Sequence, residues 1–179
     1  MIWVSEIKTA PPSEFKNELQ ERVYSTLNEL NIPFERVDND EALTMEDCVA
    51  IDEALSTKTA KALFLCNRQK TVFYLFVTAG DKPFVTKDFG KALEISRVSF
   101  APPEIMLEML GTIPGCASIL SVLKDGDNQV RLIIDSDVIA ADDFASPDCT
   151  TTGYIKLKTK DVLERFLPHT KHTPTIIKI

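Results

Sequence analysis

"KALFLCN" (Lys61–Asn67) and "TVFYLFVTAG" (Thr71–Gly80) are two apolar runs rich in aromatic and β-branched residues, parted by the polar tetrad Asn67-Arg68-Gln69-Lys70. Runs of this kind on either side of a short polar break read as a β-hairpin. Upstream, Phe15, Leu19, Val23, Leu27 and Leu30 recur at three and four, which predicts an amphipathic helix entered at Pro11-Pro12-Ser13 and ended near Asn31. A short strand is expected over 34–37, and a Thr-capped, acidic helix over 44–55. Downstream, 87–94 reads as a short helix and 97–101 as a strand. Pro102-Pro103-Glu104 opens a helix that Gly111 stops. "QVRLIIDSDVI" supplies a strand to about Asp135, "DCTTTGYIKLK" another, and Thr159-Lys160-Asp161 caps a last helix through Phe166. Strands and helices are interspersed, so the class predicted is α/β mixed (α+β), a mixed sheet wrapped by helices.

A chain of 179 residues with 44% hydrophobic content sustains one full core. A single domain, 1–179, is therefore expected, with 168–179 as an irregular tail. No run of about 18 apolar residues occurs and the first residues lack a signal pattern, which predicts a soluble, cytoplasmic protein without membrane contact. Cys48, Cys66, Cys116 and Cys149 form no CxxC pair, and the only histidines are His169 and His172. That spacing gives neither a zinc framework nor a disulfide scaffold, and no metal or cofactor is expected. A net charge of −7 excludes a binder that relies on an overall positive field. Local positive charge is available in the C-terminal third, from Arg131 to Lys178.

"MLGTIPGCAS" (109–118) places two of the six glycines and one of the ten prolines within five residues. Such residues set a specific backbone shape, either a plain turn or a loop that holds a ligand.

Five pieces then fall in one order: Lys61 at the head of "KALFL", "FYLFVTAGDKPFVTKDF", "RVSFAPPEIMLEMLG", "GTIPG" and "VRLIIDSDV". Together they resemble the YbaK and prolyl-tRNA-editing family, ProX and PrdX among its members, over roughly residues 20–167. The resemblance implies a single domain with a mixed, largely antiparallel curved sheet surrounded by helices. It implies a free-standing deacylase acting in trans on mischarged aminoacyl-tRNA, Ala-tRNA(Pro) foremost, without metal or cofactor. Its partners would be the acceptor end of the tRNA and prolyl-tRNA synthetase.

Lys61 matches the family's catalytic lysine, and Gly111, Thr112, Ile113, Pro114 and Gly115 match its GxxPG loop, with Cys116 in the place of a serine. The stretch Phe144–Thr152 matches the family's "FHPxxNTAT" segment, but Ala145 replaces the histidine and Cys149 the asparagine. With Thr151, these complete the candidate substrate-binding set, and the replacements leave open which amino acid is removed. They also motivate an alternative, a catalytically altered module that binds tRNA or a synthetase on the same scaffold. A thiol enzyme built on Cys116 is a third reading, for which neither histidine offers a marked base.

An aminoacyl ester is already activated, so a deacylase must place a water, orient the carbonyl and stabilise the oxyanion. A strand-borne lysine suits that work as a fixed charge. Asp135 and Asp137, at a strand end, are possible general bases or simple turn residues.

Overall fold

The computed structural model describes residues 1–179. The predicted hairpin is present: β2 (Ala60–Cys66) pairs antiparallel with β3 (Phe73–Ala79), from Ala60 opposite Ala79 to Cys66 opposite Phe73. Before it come α1 (Glu18–Glu29), β1 (Glu35–Asp38) and α2 (Cys48–Leu55). After it come α3 (Thr86–Leu93), β4 (Ser99–Phe100), α4 (Pro103–Leu110), a 3-10 turn (Ile119–Lys124), β5 (Val130–Asp135), α5 (Ser136–Ala140), β6 (Asp143–Pro147) and β7 (Gly153–Lys158). The chain ends with α6 (Thr159–Asp161), a π turn (Val162–Phe166), α7 (Leu167–Thr170) and β8 (Thr175–Ile177).

The mixed, largely antiparallel sheet of this α+β domain is divided into two. One has the order β1-β7-β6; the other runs β4-β2-β3-β5-β8, with β3-β5 and β5-β8 parallel. The main core lies between them. Phe64, Leu75, Val77 and Leu132 meet Phe144, Ile155 and Leu157 there, with Leu19, Val23 and Leu27 of α1 at one side. Burial of about thirty such residues at roughly 1.5–3 kcal/mol for each large side chain is the main stabilising term. The period of two in β2 sends Phe64 and Cys66 into this core and Leu63 and Leu65 to the opposite face, where Phe89 of α3 covers them. On the far face of the smaller sheet, Ile51 and Leu55 of α2 pack on Val37, Ala145 and Tyr154.

Three expectations are corrected. α1 starts at an Asn17 cap, whose side chain accepts from the Gln20 N–H at 2.8 Å, rather than at Ser13. The residues before it run extended along β1, with bridges Val4 to Asn39 and Lys8 to Arg36, so they are committed to sheet-edge pairing. β6 lies between two predicted strands and is hidden in sequence because Pro147 and Ser146 dilute its apolar pattern. The expected irregular tail contributes β8, which pairs parallel to β5. His172 anchors it: its imidazole is buried and lies 2.9 Å from the Asp125 carboxylate.

A candidate ester-binding cleft at the seam of the two sheets

The two sheets are tied where β2 begins. The Ala145 N–H donates to the Lys58 carbonyl at 2.9 Å, and Thr59 bridges Ala145. Just past this tie the strands diverge and leave a cleft of about 180 Å³. Its floor is the stretch Thr59–Leu63; Gly115 and Ala117 form one wall, Pro147 and Tyr154 another, and residues 42–45 with Cys48 the roof.

The floor carries an open strand edge. The Gly80 N–H donates to Thr59 O toward β3, whereas the Ala101 N–H donates to Phe64 O on the opposite edge. Alternation therefore points the N–H and C=O of Ala62 away from β3. β4 pairs only with Leu65 and Cys66, so on that edge Ala62 has no strand partner and its backbone groups face the cleft side. An edge amide of this kind is a fixed hydrogen-bond donor available to a ligand.

Lys61 lines the cleft half-buried, and its Nζ donates to the Lys82 carbonyl. No carboxylate lies within ion-pair distance of it. Burial holds its pKa below the ordinary lysine value, a pull that Asp81 only partly opposes. Lys82 in turn is held by Asp135 at 2.7 Å and Asp137 at 2.8 Å, while Thr78 Oγ1 donates to Asp135 at 2.7 Å. Asp135 and Asp137 thus fix the loop that positions Lys61; neither lines the cleft.

α4 ends as expected at Gly111, φ 66°, whose N–H reaches Leu107 O at 3.0 Å. Of the glycine loop, Gly115 alone lines the cleft; its φ of 91° suits glycine, and open space surrounds the position a Cβ would take. Ile113 and Pro114 are exposed, Thr112 is buried, and Gly111 faces a separate depression beside Leu19 and Lys124. Cys116 is buried, and burial reinforced by Asp148 and Glu41 pushes its thiol pKa up, which opposes a thiolate nucleophile.

The structure does not bring the other sequence candidates to the cleft surface. Ala145 is fully buried beneath it among Cys48, Ile51 and Tyr154. Cys149 sits in the main core, its thiol pushed up to about 12 by burial. Thr151 acts through its backbone, accepting from the Ala42 N–H at 2.9 Å and so holding the cleft roof. Position in a linear motif does not report side-chain direction, which follows from packing between distant segments.

The lining that sequence reasoning missed is Met45, Cys48, Thr59, Pro147 and Tyr154. Gly80 lies buried behind them: its bare Cα lies against the Met45 methyl and Thr59 O, where a Cβ would overlap both. The signals were present in a glycine that ends an apolar strand and in the Thr44 turn, whose hydroxyl accepts from the Asp47 N–H and seats Met45. Cys48 Sγ and Tyr154 Oη are 3.5 Å apart, and burial raises both pKa values, so neither offers an anion.

Residues 39–164 match the aminoacyl-tRNA editing domain. The mouse prolyl-tRNA synthetase associated domain-containing protein 1 is 30% identical over 169 residues, covering 92% of this chain and 96% of that protein. The prolyl-tRNA editing protein ProX of Acetoanaerobium sticklandii is 25% identical over 120 residues, 67% of this chain and 73% of its own. A crystal structure of a candidate trans-editing enzyme for prolyl tRNA synthetase superposes with a TM-score of 0.66 at 14% identity, over 92% of this chain and 99% of that one. That structural likeness speaks to the fold, whereas the sequence match spans the β2 strand, the glycine loop and the cleft walls. The chain belongs to the aminoacyl-tRNA editing domain family.

Proposed function

We propose that the protein is a deacylase that hydrolyses the ester of a mischarged aminoacyl-tRNA, with alanine on tRNA(Pro) the leading substrate. One observation carries this reading: an ammonium without a carboxylate partner, Lys61, stands in a small cleft beside the free backbone edge of β2 and the Gly115 loop. In it the Lys61 charge and the Ala62 N–H would receive the negative charge that develops on the ester oxygen. Gly115 would let the terminal ribose or the aminoacyl group approach the backbone closely. A volume of about 180 Å³ corresponds to roughly six waters at about 30 Å³ each, which favours a small acyl group.

The test is deacylation of tRNAs charged with alanine, cysteine, serine, threonine and proline by the wild type and Lys61→Ala. Alanyl ester cleavage, with prolyl ester spared, and a loss of about 10²-fold or more in the variant are expected. Cleavage of no ester, or equal cleavage by Lys61→Ala, defeats the reading.

A second reading rests on a specific observation: no ionised carboxylate, imidazole or thiolate lines the cleft to activate water. On that reading the protein binds tRNA ends or a prolyl-tRNA synthetase without turnover. Tight binding of alanyl-tRNA whose ester outlives the complex would establish it. The names of the relatives make prolyl-tRNA synthetase the first partner to assay.

A further inference from the structure

The face of the five-stranded sheet from which Lys61 emerges is covered by α3. Lys61, Leu63 and Leu65 alternate onto that face, and Leu63 and Leu65 pack around Phe89 of α3. Along the same side lie two adjoining depressions, of about 390 and 680 Å³, which share Arg97. The first is lined by Lys87 and Lys91 of α3, the second by Arg68 of the hairpin turn.

All four cations are exposed, and none makes an ion pair. Asp88 and Glu94 are the nearby acids in sequence, and neither lines either depression. In a chain of net charge −7 such a cluster is a local departure from the overall field. Of the C-terminal cations, Lys156 is paired with Glu35, Lys158 with Asp143 and Arg165 with Asp161, while Arg131, Lys160, Lys171 and Lys178 are unpaired but line neither depression.

We propose that Arg68, Lys87, Lys91 and Arg97 form a track that grips the phosphate backbone of the RNA whose acylated end occupies the cleft. This rests on the deacylase reading for its starting point, but its test does not require turnover. Three observations favour RNA over an acidic protein. The lining holds one hydrophobic residue in each depression, Ile95 and Val98, where a protein interface would present an apolar, aromatic centre. Asn67, Gln69, Ser96 and Ser99 intersperse neutral donors among the cations, the mixture used on phosphate oxygens. The track also has the needed length. Six residue steps from Lys61 to Asn67 at about 3.3 Å each separate the cleft from its far end by roughly 20 Å, room for several charges spaced at about 3.4 Å of helix axis per strand.

The experiment measures binding of an unacylated tRNA transcript by fluorescence anisotropy at several salt concentrations. It compares the wild type with the triple variant Arg68→Ala, Lys91→Ala, Arg97→Ala, and circular dichroism checks that each is folded. Expected is at least tenfold weaker binding near 0.1 M salt and a log K against log salt slope shallower by about 2.7, three duplex contacts at about 0.9 each. In parallel, the triple variant should cleave alanyl-adenosine at the wild-type rate while its KM for alanyl-tRNA rises. Unchanged tRNA affinity and slope overturn the proposal. So does loss of prolyl-tRNA synthetase binding with tRNA binding intact, which would make the surface a protein-docking face. If the wild type cleaves neither ester yet tRNA binding falls in the variant, the track stands and the deacylase reading fails.

Discussion

Lys61 is held in a state that a solvated lysine does not share. Burial disfavours its ammonium by more than the nearby Asp81 favours it, so its pKa lies below the ordinary value of about 10.5. If the charge serves the oxyanion, deacylation is level where the ammonium persists and falls as pH rises through that lowered value. Rates corrected for spontaneous ester hydrolysis should show this alkaline limb in the wild type. A guanidinium stays protonated throughout, so Lys61→Arg, at whatever amplitude, should lack the limb. The same limb in both proteins would assign it to another group. At this scale Lys61 and Gly115 were legible through the resemblance to the editing family, since a lysine at the head of a strand and a Gly-x-x-Pro-Gly turn are each commonplace alone, and both line the cleft. It did not disclose that Ala145 and Cys149 point into cores, since burial follows from packing between distant segments.

Among the elements, β6 and β7 carry the cleft wall, and their connection is held by a buried carboxylate. Asp148 accepts from Tyr24 Oη at 2.8 Å, Gln20 Nε2 at 2.9 Å and Thr150 Oγ1 at 2.7 Å, and its own N–H donates to Gly153 O at 3.0 Å. These bonds fasten the turn to α1, which no local pattern could announce because Gln20 and Tyr24 are far away in sequence. The carboxylate fits only because Gly153 has no side chain: a Cβ there would lie 2.4 Å from Asp148 Oδ2. Gly153→Ala must therefore displace Asp148 and its partners, at a cost of about 1–3 kcal/mol. Urea unfolding should show a lower midpoint at unchanged slope. A midpoint equal to that of the wild type would mean that the turn yields without loss. The hairpin of β2 and β3 is the contrary case: its pairing is local, its residues are strongly strand-forming, and it was legible throughout.

Across the whole molecule, the division into two sheets follows from long-range pairings, β1 with β7 and β5 with β8, that periodicity cannot report. One ion pair links that architecture to the cleft. Asp135 ends β5, an interior strand of the five-stranded sheet, with its carboxylate fully buried, and Lys82 reaches it from the loop that carries the Lys61 acceptor. Burial alone would raise the Asp135 pKa, but hydrogen bonds from Lys82, the Asp137 N–H and Thr78 outweigh it and hold the carboxyl below its ordinary value. Because the native value is the depressed one, this stabilisation is complete above the unfolded value of about 3.9 and is lost as pH falls through the native one. Lys82→Met leaves the carboxylate buried with only Thr78 and the Asp137 N–H, which should cost about 1–3 kcal/mol at pH 7. Denaturant unfolding of both proteins between pH 7 and the acid limit should then give a gap that is largest at neutral pH and narrows toward acid. A constant gap would show that Lys82 stabilises by packing its stem rather than by charge. Deacylation at pH 7 separates the two roles further, since a loop released from Asp135 should misplace Lys61 and lower kcat even in the folded variant.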